Sequence, residues 1–177
     1  SEGNLIVCQH GDRRVSSINN KESFKPNFKT LVDNFNGKRL NSPNDLVISS
    51  DGSIYFTDPP FSFFDLDTYS FVESDLREID FNGVYKFNPN ENKITSISKE
   101  IDVPNGLGLS PDEKYLYVNK MGIPFSTSNS RILKINLDNL ETEIFFEGRD
   151  LFEKFKDGRD FDGMAIHSSG NIFTSGP

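Results

Sequence analysis

Cysteine is almost missing from this sequence: Cys8 is the one thiol in 177 residues. That excludes an internal disulfide and any cysteine-ligated zinc cluster. In the apolar run Leu5-Ile6-Val7-Cys8 the thiol reads as buried and inert. Tryptophan is absent, and two histidines, His10 and His167, are too few for a histidine-built zinc centre. Positive charge is also scarce, with 19 Lys and Arg against 27 Asp and Glu and a net charge of -8. Nucleic acid is thereby excluded as a partner, because phosphate contacts need clustered cations. An anionic ligand is disfavoured too, unless a cation sits in the site. No apolar run approaches the roughly 20 residues of a membrane-spanning helix, so no membrane contact is expected. There is no Gly-x-Ser-x-Gly elbow, no His-Glu-x-x-His and no phosphate-cradling glycine loop. No methionine or signal-peptide pattern opens the chain. Both termini read as cut within β-structure, so an internal piece of a longer, soluble, cytoplasmic or periplasmic protein is expected.

Hydrophobic residues make up only 34%, but 17 phenylalanines compensate, since each buries a large apolar area. Most of the rest is organised as a repeat. Asn44 to Asp58, Asn105 to Asn119 and Asp162 to Thr174 share one pattern, with starts 61 and 57 residues apart. Each is a strand, a turn and a strand. Leu46-Val47-Ile48 and Ile54-Tyr55-Phe56 flank Ser50-Asp51-Gly52, a hairpin signal, and Ser110-Pro111-Asp112-Glu113 takes its place in the second unit. Two more strands follow each of the first two units: Val84 to Phe87 with Ile94 to Ile97, and Ile132 to Leu137 with Ile144 to Phe146. Four antiparallel strands every 60 residues or so make the blade of a β-propeller. The prediction is an all-β partial propeller of about three to three and a half blades, in segments of about 1–40, 44–101, 105–148 and 162–177. Inner strands are expected to be buried on both faces. Only Leu151 to Lys156 suggests a helical turn.

The repeat places Asn44, Asn105 and Asp162 in one register, each at the start of the innermost strand of its blade. In a propeller those starts ring one mouth of the central channel. Two amides and a carboxylate offer oxygen-only ligation, suited to a hard cation such as calcium or magnesium. Asn-Asp, Asn-Gly and Asp-Gly are also ordinary turn pairs, so the spacing alone leaves a purely structural role open.

The segments Asn41-Ser42-Pro43-Asn44-Asp45, Asp51 to Pro60, Pro104-Asn105-Gly106-Leu107, Phe161-Asp162-Gly163-Met164 and Cys8 to Val15 resemble the senescence marker protein 30 and gluconolactonase family. The resemblance covers nearly the whole chain. It implies a six-bladed propeller that hydrolyses a sugar lactone with one divalent ion at its axis, calcium first, with zinc or magnesium as alternatives. It makes Asn105 and Asp162 metal ligands, Asp162 also the catalytic acid/base, and Asn44 and Asn105 contacts to substrate or water. A further family ligand, a glutamate near the start of the first blade, has no counterpart in this sequence. Where some members carry a substrate-binding arginine, this chain has Ser42. Missing blades of a parent chain are then partners of the fragment, which alone is expected to be unstable, aggregation-prone and inactive.

His10 follows a second strand and reads mainly as a surface residue, with a role at the pocket mouth as the alternative. His167 reads as exposed near a hairpin turn, Asp58 as a structural turn residue, and Met121 and Met164 as packing. The charged run Glu147 to Asp160 reads as a solvated loop. The long aromatic and acidic segment 59–82 either roofs a pocket or packs on a neighbouring blade. Two competing functions stay open: a propeller hydrolase of organophosphate esters and a binding propeller without chemistry.

Overall fold

The computed structural model describes residues 3–18, 27–122, 130–148 and 160–176. The first sheet contains β1 (Leu5–Gln9), β2 (Arg14–Ile18) and β3 (Phe28–Val32). A hairpin of β4 (Asn34–Phe35) and β5 (Lys38–Arg39) follows, turned by Asn36 and Gly37, both at positive φ. Next come β6 (Leu46–Ile48) and β7 (Ile54–Asp58), then a 3-10 turn at Phe61–Phe63 and a short hairpin, β8 (Phe64–Asp65) with β9 (Ser70–Phe71). With β10 (Gly83–Asn88) and β11 (Lys93–Ser98) the second sheet closes in the order β11-β10-β7-β6. The third runs β12 (Pro104–Leu109), β13 (Tyr115–Lys120), β14 (Arg131–Asn136) and β15 (Thr142–Glu147) in sequence order, and β16 (Met164–Ile166) pairs with β17 (Ile172–Thr174). Every pairing is antiparallel. Stacked four-stranded antiparallel meanders are the blades of a partial β-propeller. The helical turn expected at 151–156 lies outside the described residues.

Strand periodicity builds two cores at once. In β7, Ile54 and Phe56 face one side and join Val15, Val32, Leu40, Ile79, Tyr85 and Phe87 between the first and second sheets. Tyr55, between them, faces the other side and joins Val84, Leu107, Leu116, Val118, Leu133 and Ile135 between the second and third. Successive side chains point to opposite faces of a strand, so a strand between two sheets is apolar at consecutive positions. All five residues of β7 are buried, and so are the first five of β12, which packs against β6 and β7 on one side and β16 on the other. The expectation of two-sided burial therefore holds for β12 but not for every inner strand. β6 is half-buried to exposed along its length, and two-sided burial in its sheet shifts outward to β7.

The blades touch most tightly at their inner edge. Gly106 N–H, on β12, donates to the Asp162 carbonyl at 2.9 Å. A Cβ at Gly106 would overlap the main chain of Asp162, Gly163 and Met164, so glycine is what permits this approach. Gly106→Ala is expected to cost about 1–3 kcal/mol of stability, the usual cost of overpacking, read from the urea midpoint of the full-length protein. Gly11→Ala, where nothing lies within 4 Å of the added methyl, should stay within about 0.5 kcal/mol of the parent.

Candidate axial site

Of the three residues predicted to share a register, Asn44 and Asn105 meet through their side chains and Asp162 is joined through its main chain. Asn44, two residues ahead of β6, donates from Nδ2 to Asn105 Oδ1 across the boundary between two blades. Asn105 lies within β12 rather than before it, 4% exposed, at an irregularity in pairing between Pro104 and Leu107. That bulge re-aims the amide toward its neighbours. Asn105 Nδ2 is directed at Met121 Sδ, 2.9 Å away, so the oxygen of the amide faces Asn44. Asp162 stands two residues ahead of β16, joined to the cluster through its carbonyl and Gly106, with its side chain exposed.

A fourth polar residue belongs here. Asp45 accepts N–H bonds from Leu46 at 2.9 Å and, across the blade boundary, from Leu107 at 3.3 Å. Burial pushes its carboxyl above the ordinary range, the two N–H bonds pull it back, and the Asp162 carboxylate adds an upward push. The sequence signal for Asp45 is its place in the Asn-Asp pair, which reads equally well as a turn.

Two buried groups hold the segment leading to Asn44. Asp58, fully buried at the end of β7, accepts the N–H of Asn41 at 2.8 Å and of Ser42 at 2.7 Å. Arg13 Nε donates to the carbonyls of Leu40 at 2.6 Å and Asn41 at 3.1 Å, Nη1 reaches Leu76 O at 2.8 Å, and the guanidinium lies over the Phe63 ring. The turn segment is thus gripped by its amides from one side and its carbonyls from the other. Asn119, buried on β13, does the same for the next blade, donating to Asp162 O at 2.7 Å and Thr174 Oγ1 at 2.9 Å. An asparagine directly after the apolar run Tyr115-Leu116-Tyr117-Val118 is the one sequence signal for it.

His10 is exposed, as read from sequence, and also reaches the site: Nε2 lies 2.9 Å from Asn44 Oδ1. Its ring lies against Phe61, and its carbonyl accepts Ser62 Oγ at 3.0 Å. Segment 59–82 packs on its neighbours: Ile79 enters the core between the first and second sheets, Phe63 is buried under Arg13, and Phe61 lies against His10. Ser42 is buried, donates from Oγ to Pro59 O at 2.6 Å and accepts Ser62 N–H at 3.1 Å, so it braces this segment. His167 is exposed and bonds Ser169. Met164 packs beside Ile132 and Phe161, whereas Met121 faces the Asn105 amide as well as packing. Cys8 is half-buried; burial, with Asp45 and Asp58 nearby, drives its thiol upward and keeps it inert. The reading of Glu147 to Asp160 as solvated fails at its end, where Asp160 is buried and its carboxyl raised, because the chain turns inward there beside the Ser130 hydroxyl. Residues 149–159 lie outside the described ones.

Among the described residues no group of three or more His, Cys, Asp or Glu forms a metal cluster, so a cation here would depend on amide oxygens. By donor chemistry alone, the Asn105 amide oxygen and the Asp162 carboxylate are oxygen ligands of the kind that suits a hard cation. They are too few to complete its shell.

A family model described as SMP-30/Gluconolactonase/LRE-like region matches residues 1–176. The sequence is 35% identical over 178 residues to a gluconolactonase of Zymomonas mobilis, covering 99% of this chain and 47% of that protein. It is 26% identical over 175 residues to the lactonase drp35 of Staphylococcus haemolyticus, covering 98% of this chain and 47% of the other. A solved gluconolactonase structure from Xanthomonas campestris superimposes with a TM-score of 0.77 at 28% identity, over 97% of this chain and 52% of that one. The chain thus spans about half the length of the relatives it matches. No helix among the described residues is long and apolar enough to cross a membrane.

Burial pushes the Asp58 carboxyl up to about 7, although the Asn41 and Ser42 N–H groups and the Arg13 and Arg77 charges oppose it. A carboxyl raised on folding stabilises fully below its unfolded value near 4 and loses that contribution as pH rises through 7. The stability advantage of the parent over Asp58→Asn is therefore expected to shrink from pH 4 to pH 7, by at most about 1.4 kcal/mol per pH unit. Urea unfolding of both proteins at several pH values checks this; a difference that grows with pH would contradict it.

Proposed function

The chain belongs to the SMP-30/gluconolactonase/LRE-like family, and we propose that it forms about half of a six-bladed, divalent-cation-dependent lactonase acting on a sugar lactone. The contact of Asn44 with Asn105 across one blade boundary, and of Gly106 with the Asp162 carbonyl across the next, is the observation that supports this reading. Lactone-hydrolysing names among the relatives support it. The large apolar side chains left exposed on β1, β15 and β17, Leu5, Ile144, Phe145 and Phe173 among them, are the kind of surface that further blades would cover, and a fragment of 177 residues alone is expected to be inactive.

Asn105 Oδ1 and the Asp162 carboxylate would hold the cation, calcium before magnesium or zinc, with water and a residue outside 1–177 completing the shell. When bound, the cation polarises the lactone carbonyl and lowers the pKa of adjacent water. Asn44 and Asn105 orient substrate and water. Asp162 accepts the proton as the water oxygen attacks the carbonyl carbon, and returns it to the ring oxygen as the C–O bond breaks, leaving the open hydroxy acid. A carboxylate on a cation is a weak base, so the larger part of the work at Asp162 is ligation. Asp45, tied down by two backbone N–H groups, braces the start of β6 against β12.

In the full-length protein Asp162→Ala is expected to lower kcat/KM for gluconolactone by about 100- to 10,000-fold, the span of a positioned acid–base group, and to remove calcium binding in calorimetry. Normal hydrolysis by that variant sinks the assignment. Faster turnover of a phosphotriester than of the lactone would point instead to an organophosphate esterase.

A further inference from the structure

His10 is held more firmly than an exposed histidine needs to be. Its ring lies 5.9 Å from Phe61, which in turn stacks on Phe71, and its carbonyl accepts the Ser62 hydroxyl. These contacts come from one segment, 61–71, inserted between β7 and β10, and their combined effect is to aim Nε2 at Asn44 Oδ1. The hydrogen bonds then run in one direction. Asn44 Nδ2 donates to Asn105 Oδ1, so Asn44 Oδ1 is the atom facing His10, and Nε2 must carry a proton to meet it. At the far end Asn105 Nδ2 is directed at Met121 Sδ, a weak acceptor and no donor.

An amide has two ends of nearly equal shape, and only its neighbours decide which way it points. If Asn44 turned over, its Oδ1 would face Asn105 Oδ1. Asn105 would then have to turn its NH2 toward the channel to avoid two facing acceptors. A cation cannot be held by an NH2 group. Met121 resists the flip at one end of the row because its sulfur cannot donate to an amide oxygen. Asn44 is half-exposed and could turn freely on that account; the donor at its other side is the His10 imidazole.

We propose that His10 is a positioning residue of the axial site, whose Nε2–H fixes the polarity of the Asn44–Asn105 amide row and so keeps the Asn105 carbonyl oxygen available to the cation. This rests on the axial site proposed above and goes beyond it, since His10 acts through Asn44 and is not itself one of the proposed ligands. It also gives segment 61–71 a function, which is to hold the imidazole in place.

Two substitutions in the full-length protein separate this role from packing. His10→Phe keeps an aromatic ring against Phe61 and removes the donor; His10→Gln loses the ring and restores an N–H at similar reach. The readouts are the calcium dissociation constant by isothermal calorimetry, the midpoint of thermal unfolding without calcium, and kcat and KM for gluconolactone. His10→Phe is expected to weaken calcium about 10- to 100-fold, as loss of a ligand-orienting partner does, to lower kcat in parallel, and to leave the calcium-free midpoint unchanged. His10→Gln should recover calcium affinity and kcat to within about 3-fold of the parent. Calcium affinity unchanged in His10→Phe overturns the proposal and makes the residue a packing group. Equal loss in both variants also overturns it, since the imidazole itself would then be required. A parent protein that binds no calcium fails one step earlier, at the axial site, and that result is visible before any variant is made.

Discussion

The site depends on how closely two blades approach at their inner edge. Gly106 brings the backbone of β12 against that of Asp162, with a hydrogen bond where a side chain would otherwise stand. Everything chemical about the channel mouth follows from that contact. Asn105 sits next to the glycine and Asp162 supplies the acceptor, so the main chain carrying the two candidate ligands is tied together across the boundary. One boundary earlier the tie is made by a side chain instead, the Asp45 carboxylate accepting Leu107 N–H. Backbone-to-backbone ties of this kind are stiffer than surface ion pairs such as Lys134–Glu143 or Arg131–Glu147, which contribute little.

Around this contact the protein buries polar groups that a simpler sandwich would avoid. Asp58, Arg13 and Asn119 are all nearly inaccessible, and each bonds main chain of the segment carrying Asn44 or of Asp162 itself. Such groups are costly to bury unless satisfied. Asp58 meets the cost by accepting two N–H groups with separate oxygens, and Arg13 by donating to the carbonyls of Leu40 and Asn41. Between them the short turn 40–44 has little freedom left. A loop that must present an amide at a set position is served by that kind of rigidity. The apolar cores on either side of β7 and β10 supply the stability against which these polar insertions are set.

Legibility from sequence varied with the kind of feature. Strands, hairpins and the repeat were readable because each is local: alternation in Ile132–Ile135, Asp51-Gly52 at a turn, two units in one register. The coincidence of Asn44, Asn105 and Asp162 followed from the repeat plus the architecture it implied. Other features were hidden because they arise between segments far apart in the chain. Asn119 looks like the end of a strand and acts as a clamp on residues more than forty positions later. His10 looks like a surface turn residue and meets Asn44, 34 positions away. Asp160 closes a run of charges and is buried, because burial depends on which sheet the chain returns to.

By itself the sequence determined the all-β class, the blade-length repeat, the acidic character of the chain, and which side chains stood in one register, since these rest on residue type and spacing alone. Only the tertiary structure decided that Asp45 joins the site, that Arg13 and Asp58 grip the turn before Asn44, and that His10 rather than solvent faces its amide. Those outcomes depend on distances between residues that no local pattern encodes, and they exist only once the blades have stacked.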